Sequence, residues 1–185
     1  STENMPMVSV ITPTKNREVH LLNIIKHFQS QTWPKKELLI LDDSDHKCTE
    51  AERIAKQDSR IQYIYRRDLN RVGEKRQHLC ELANGSIIAH FDDDDYYLPT
   101  YLEFMIESFK DTNADFVKLR SWWSIHEPSK VYGYCNTALM NVTRFYHVLS
   151  QEIRRFPRPF TEQETYRSLY GYGFSYLFKK SILVK

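Results

Sequence analysis

The sequence predicts an α/β fold: a mostly parallel central sheet with helices on both faces, in a three-layer α/β/α sandwich. Two observations carry this. Short, almost wholly apolar runs alternate with segments of helical periodicity, the pattern of strands buried on both faces. Three of those runs also end in polar clusters, Thr12-Pro13-Thr14, Asp42-Asp43 and Asp92 to Asp95, and ligands of parallel sheets gather just past the carboxyl ends of strands. A chain of 185 residues fits one domain with a substantial core. We read residues 1–185 as a single domain, with 1–6 an unstructured or non-native leader and folding starting near Met7.

Val8 to Ile11 is a β-branched strand closed by Thr12-Pro13-Thr14. Leu21, Leu22, Ile25 and Phe28 recur at helical spacing until Trp33-Pro34 stops them. Leu38 to Leu41 is the second strand. A helix around Ala51, Ile54 and Ala55 precedes a third strand, Ile61 to Tyr65. The spacing predicts a helix from Val72 to Ala83, ended by Asn84-Gly85 as a glycine C-cap. Ser86 to Phe91 is the fourth strand, Tyr101, Leu102, Met105 and Phe109 line a helix, and Phe116 to Trp122 is a fifth strand. Beyond Lys130 the pattern loosens; helices are expected near Thr143 to Leu149 and Thr161 to Tyr170, then a strand from Phe174 to Phe178.

Composition excludes more than it identifies. The net charge of +2 does not mark a nucleic-acid binder. No apolar stretch approaches the roughly 18 residues of a membrane span. Cys48, Cys80 and Cys135 are odd in number and form no Cys-x-x-Cys, which reads as free thiols in a reducing compartment. The expected location is the cytoplasm, or the cytoplasmic face of a membrane. Aromatics at 14% are compatible with a sugar-contacting surface.

Four successive carboxylates at a strand end repel one another, and such groups either raise a pKa or recruit a cation. A solvated acidic turn is the plain reading of an Asp run. Here the run leaves an apolar strand and is closed by Tyr96-Tyr97-Leu98-Pro99, which favours a hard divalent ion, Mg²⁺ or Mn²⁺, on oxygen ligands. Arg76 shares a face of its helix with Val72, Leu79, Cys80 and Ala83. A cation on that stripe either snorkels or pairs with an acid.

Four segments in order, VSVITPTKNR from Val8, ELLILDDSD from Glu37, GEKRQHLCELANGSIIAHFDDDDYYLP from Gly73 and GYGFSYLFKKS from Gly171, together resemble a family 2 glycosyltransferase of the GT-A fold. The resemblance covers most of the chain and is densest from Val8 to Leu102. It implies an inverting enzyme that moves a sugar from a nucleotide-sugar, expected to be UDP-linked, to a hydroxyl of a glycan, lipid-linked or protein acceptor. The Asp run corresponds to the DxD motif, with Asp94, and Asp92 beside it, as metal ligands. Asp92 and Asp93 are placed to contact ribose or to coordinate through water, and Asp95 to face the acceptor. Asp43 corresponds to the aspartate that accepts a hydrogen bond from the pyrimidine N–H. Thr12, Pro13 and Thr14 frame the base and ribose, Arg17 reaches the diphosphate, and Lys75 and Arg76 contact the nucleotide or the Asp cluster.

The family's general base lies shortly past the segment that GYGFSYLFKKS resembles, so it is expected beyond Lys185. Glu162 and Glu164 are the stand-ins within the chain, although Thr161 and Glu164 also fit a helix capping box. Two other readings remain open on the sequence: a nucleotidyltransferase, which has no glycine-rich phosphate loop to support it, and a non-catalytic nucleotide-sugar-binding domain.

Overall fold

All seven residues of β1 (Val8–Thr14) and all seven of β2 (Lys36–Asp42) are buried. Alternate strand residues point to opposite faces, so both faces of these strands are covered. The computed structural model describes residues 5–126, 128, 130–136, 144–147, 152–155, 163 and 173–183. Between and after these strands come α1 (Glu18–Ser30), α2 (Thr49–Gln57), β3 (Ile61–Tyr65), α3 (Val72–Leu82), β4 (Ile87–His90), α4 (Tyr101–Thr112) and the short β5 (Phe116–Val117). Four more strands are β6 (Ser121–His126), β7 (Val131–Asn136), β8 (Arg144–His147) and β9 (Glu152–Arg155), and β10 (Leu177–Lys179) follows.

The main sheet has the order β3-β2-β1-β4-β10-β5. β1 runs parallel to β2 and β4, with Val10 beside Leu38 on one side and Ala89 on the other, and β2 runs parallel to β3. β10 is antiparallel to both β4 and β5, which makes the sheet mostly rather than wholly parallel. Leu79, Cys80 and Ala83 on or just after α3 pack with Ile11, Leu39, Leu41, Ile88 and Phe178. The residues between them in the strands, such as Val10, Leu38, Ile40 and Ala89, point the other way and are equally buried. Buried stripes on α1 (Leu21, Ile24, Ile25, Phe28) and α4 (Leu102, Met105, Ile106, Phe109) complete the core. Each such side chain contributes about 1.5–3 kcal/mol by leaving water.

The chain divides into two compact units, residues 1–118 with 174–185, and residues 119–173. The second carries a four-stranded antiparallel sheet, β6-β7-β8-β9, in which the Trp123 and Tyr134 rings pack 5.1 Å apart.

Several expectations need correction. The strand expected from Phe116 to Trp122 is two strands, β5 in the main sheet and the start of β6 in the other. Arg144–His147, expected to be helical, is strand β8 paired with β7 and β9. The final strand begins later than expected, because Gly173–Ser175 forms a 3₁₀ turn before β10. The helix expected at Thr161 to Tyr170 lies, apart from Gln163, outside the described residues. The tied chain starts just ahead of Met7, since the Pro6 carbonyl accepts a bond from Trp33 Nε1 at 3.1 Å.

Gly85 is not a left-handed C-cap, for no described glycine has a positive φ. Its requirement is space. A Cβ there would lie 2.6 Å from the Met7 carbonyl oxygen and 2.7 Å from Ser9 N, so only glycine permits this approach of backbone to β1. Beside it, Glu37 accepts bonds from Ser9 Oγ at 2.5 Å and from Asn84 N at 2.7 Å. Burial opposes the Glu37 charge more than any other single influence, yet these donors together hold its carboxyl below the ordinary range.

Candidate active site

The carboxyl ends of β1, β2 and β4 lie side by side, and short hydrogen bonds lock the loops that leave them. Thr12 Oγ1 donates to the Phe91 carbonyl at 2.8 Å and Thr14 Oγ1 to Asp93 Oδ2 at 2.7 Å, tying the first loop to the Asp run. Asn16 takes the left-handed conformation (φ 53°), which asparagine tolerates. From there its backbone N–H donates to Ser44 Oγ at 2.7 Å and its amide Nδ2 to Asp45 at 3.1 Å, joining the first loop to the second. Asp42 anchors that second loop from below: it is buried and accepts bonds from Ser44 N (2.9 Å), the Ser44 hydroxyl and Tyr63 (2.6 Å). Tyr97 stacks on Phe91 with ring centroids 3.8 Å apart. Its hydroxyl accepts from Asp92 N at 3.0 Å and donates to the Phe174 carbonyl at 2.7 Å.

On this frame four cations meet the carboxylates. Lys75 Nζ bonds Asp43 Oδ1 at 2.5 Å and the Thr14 carbonyl at 3.1 Å. Both side chains of this pair are buried, at 6% and 1% exposure. Lys15 Nζ stands 3.3 Å from the other Asp43 oxygen. Burial works against the Asp43 charge, but the bonds and charges of Lys75 and then Lys15 hold its carboxyl below the usual carboxylate range. Arg17 Nη1 bonds both Asp93 Oδ1 (2.9 Å) and Asp94 Oδ2 (3.0 Å). Arg76 Nη2 bonds Asp92 Oδ1 at 2.8 Å, while its Nε is buried without a hydrogen-bond partner.

The negative charge of the Asp run is only partly matched. Desolvation raises the Asp92 carboxyl above its ordinary value despite Arg76 beside it. Burial, and then the charges of Asp94, Asp92 and Asp93, push Asp95 up to about 7. Surplus negative charge on hard oxygen donors is the chemistry a divalent cation would relieve. Among the described residues no group of three or more His, Cys, Asp or Glu side chains is arranged to hold a metal. A site built from one or two of these carboxylates, completed by phosphate oxygens and water, fits the residues present, as is usual for Mg²⁺ at phosphates.

Most of the expected residues meet here. Pro13, Thr14, Arg17, Lys75, Arg76, Asp92, Asp93 and Asp94 line one cleft of about 330 Å³ with Lys15 and Val72. Thr12 and Asp43 are buried in the same strand ends, Thr12 with its hydroxyl committed to Phe91. Arg76 resolves its sequence alternatives by pairing with an acid. Glu162 and Glu164 lie outside the described residues. Trp122 and Trp123 belong to β6 of the second unit. Sequence reasoning missed Lys15 and Tyr97. Lys15 had a visible signal, its place inside the loop that already contributed Thr14 and Arg17; Tyr97 looked like a hydrophobic stop to the Asp run.

Known proteins resemble this chain in sequence and in fold. The sequence matches the family described as Glycosyl transferase family 2 over residues 9–179. It is 34% identical over 107 residues to a GalNAc(5)-diNAcBac-PP-undecaprenol beta-1,3-glucosyltransferase of Campylobacter jejuni, covering 56% of this chain and 34% of that protein. It is 29% identical over 111 residues to an Escherichia coli UDP-Glc:alpha-D-GlcNAc-diphosphoundecaprenol beta-1,3-glucosyltransferase, covering 60% and 44%. The chain thus spans about a third to under a half of the length of these relatives. Among solved structures, S. aureus TarS in complex with UDP-GlcNAc superposes with a TM-score of 0.53 at 21% identity, over 60% of this chain and 33% of that one. A mannosyltransferase from Pyrobaculum calidifontis in complex with GDP-Man and Mn²⁺ gives 0.56 at 18% identity, over 65% and 38%. These likenesses show a GT-A fold. With its parallel strand ends, carboxylate run and matched segments, the chain belongs to glycosyltransferase family 2.

Proposed function

We propose that these residues form the donor half of an inverting, metal-dependent glycosyltransferase that takes its sugar from a nucleotide-sugar, a UDP-sugar first among them. One observation carries the reading: the ends of β1 and β4 and the first turns of α3 bring Arg17, Lys75, Arg76 and Asp92 to Asp94 into a single cleft. Support for the donor class comes from structural neighbours in complex with UDP-GlcNAc and GDP-Man. Support for a lipid-linked glycan acceptor comes from relatives named for undecaprenol-linked substrates. The three free thiols favour a reducing compartment, with action at the cytoplasmic face of a membrane; no described helix is long and apolar enough to cross one.

In this reading Asp43, fixed by Lys75, accepts a hydrogen bond from the base. Pro13 and Thr14 border the ribose. Arg17 and Arg76 balance the diphosphate as the sugar departs, when the leaving group gains charge. Asp94, with Asp92, would hold Mn²⁺ or Mg²⁺, which supplies Lewis-acid stabilisation of that leaving group. The acceptor hydroxyl needs a carboxylate base, which we place outside the described residues.

Calorimetric titration with UDP, UDP-glucose, UDP-GlcNAc and GDP-mannose, with and without Mn²⁺, tests the proposal. UDP ligands should bind only with the metal, and Asp94→Ala should weaken them roughly tenfold or more. Equal binding by Asp94→Ala rejects the metal role. Tight UTP binding with pyrophosphate release would favour a nucleotidyltransferase instead.

A further inference from the structure

A single nitrogen, Arg17 Nη1, lies 2.9 Å from Asp93 Oδ1 and 3.0 Å from Asp94 Oδ2. A positive charge therefore already sits between two carboxylates of the run, one of them the residue proposed above to hold the divalent ion. We infer that Arg17 is a built-in competitor for Asp94, so that the divalent ion enters together with the nucleotide diphosphate rather than ahead of it. The inference rests on the donor site just proposed.

The two partners of Arg17 differ in a way that suits this role. Asp93 is buried, and its other oxygen is fixed by Thr14 Oγ1 at 2.7 Å. Asp94 is 53% exposed. One carboxylate therefore anchors the guanidinium while the other is open to exchange. Arg17 is itself 48% exposed, at the residue that precedes α1, where its side chain makes no capping bond. The base of the side chain is thus fixed to a rigid helix start, and among the described residues the long arm is held by its head group. A guanidinium stays protonated in proteins, so the competing charge is permanent at any working pH.

A diphosphate supplies what would draw this arm away. Guanidinium groups pair with phosphate oxygens in a bidentate fork, and Arg17 lines the same cleft as Lys75 and Arg76. Transfer of Arg17 toward phosphate releases Asp94 as the ion arrives. Nucleotide and metal then become linked ligands, each tightening the other by the same factor. Without nucleotide, metal binding at Asp94 must displace the Arg17–Asp94 ion pair.

The test is Mn²⁺ binding to the full chain, read from the electron paramagnetic resonance signal of free Mn²⁺, with and without saturating UDP. The wild type should bind Mn²⁺ weakly alone and more tightly with UDP. Arg17→Gln should bind Mn²⁺ alone roughly threefold to fivefold more tightly than wild type, the upper part of the range for one exposed ion pair, and should lose most of the coupling to UDP. Arg17→Lys keeps the charge and should stay within about twofold of wild type. The inference fails if the wild type binds Mn²⁺ with UDP but Arg17→Gln leaves Mn²⁺ affinity without UDP within twofold of wild type. It also fails if Arg17→Lys gains as much as Arg17→Gln. If the wild type binds Mn²⁺ and UDP neither separately nor together, the donor site itself is rejected and the inference with it. Melting curves of both variants separate loss of fold from loss of competition.

Discussion

Two cation–carboxylate contacts at neighbouring strand ends, Lys75–Asp43 and Arg17–Asp94, behave differently. Lys75 and Asp43 are both almost fully buried, and the lysine also bonds the Thr14 carbonyl. Arg17 and Asp94 are each about half exposed. A buried pair whose partners are also hydrogen-bonded costs much to break, because the survivor is left charged and unsolvated. A half-exposed pair contributes little to stability and exchanges partners readily. The first contact therefore sets the shape of the site and the second is available to respond to a ligand. The same strand ends hold both.

The largest test of that contrast is Lys75→Met. It leaves Asp43 buried with only the more distant Lys15 beside it, and should lower unfolding stability by about 3–5 kcal/mol, measured by urea denaturation. A loss under 1 kcal/mol would show that water reaches Asp43 and that the buried pair resembles the exposed one after all.

The next largest effect concerns Asp95, which has no cation to itself among the described residues. Its folded pKa of about 7 lies above the unfolded value, so the folded protein keeps a proton that the unfolded chain releases. Stability should fall as pH rises from about 4 to about 7 and then level off. Asp95→Asn should raise stability at neutral pH by about 1–2 kcal/mol, after allowance for partial exposure, and flatten that decline. Thermal melts at pH 5 and pH 7.5 decide it; an unchanged slope in the variant rules out Asp95 as its source. Asp43 has the opposite sign. Its lowered pKa contributes stability above about pH 4 that is lost as pH falls further.

The smallest effect is expected from Asp94→Asn in the absence of ligand, which breaks only the half-exposed pair with Arg17, a change within about 1 kcal/mol by the same urea assay. A loss comparable to that of Lys75→Met would place Arg17 among the structural pairs and remove its freedom to move.

The contrast was only half legible in the sequence. Both basic residues and all the aspartates were visible as a set, because parallel strand ends collect polar residues and apolar runs such as Leu38 to Leu41 mark those ends. What the sequence hides is which partner each charge takes. Lys75 and Arg76 are adjacent on one helix, yet Lys75 goes inward to Asp43 and Arg76 reaches Asp92. That choice depends on how α3 packs over Ile11 and Leu39, a non-local matter. The second unit was the least legible. Phe145, Val148 and Leu149 recur at helical spacing, but pairing with neighbouring strands places Arg144–His147 in a sheet; short antiparallel strands are decided by their partners more than by their own pattern.

The position of β10 has a consequence for synthesis. Leu177–Lys179 are inserted between β4 and β5, although about sixty residues separate them from β5 along the chain. A nascent chain that has emerged only as far as the second unit therefore presents the β4 edge, Ile87–His90, with no strand to cover it. Unpaired edges of this kind recruit other chains. The protein is thus most exposed to aggregation in the interval between emergence of β4 and emergence of residue 179, and slowing translation across that stretch should lower its soluble yield.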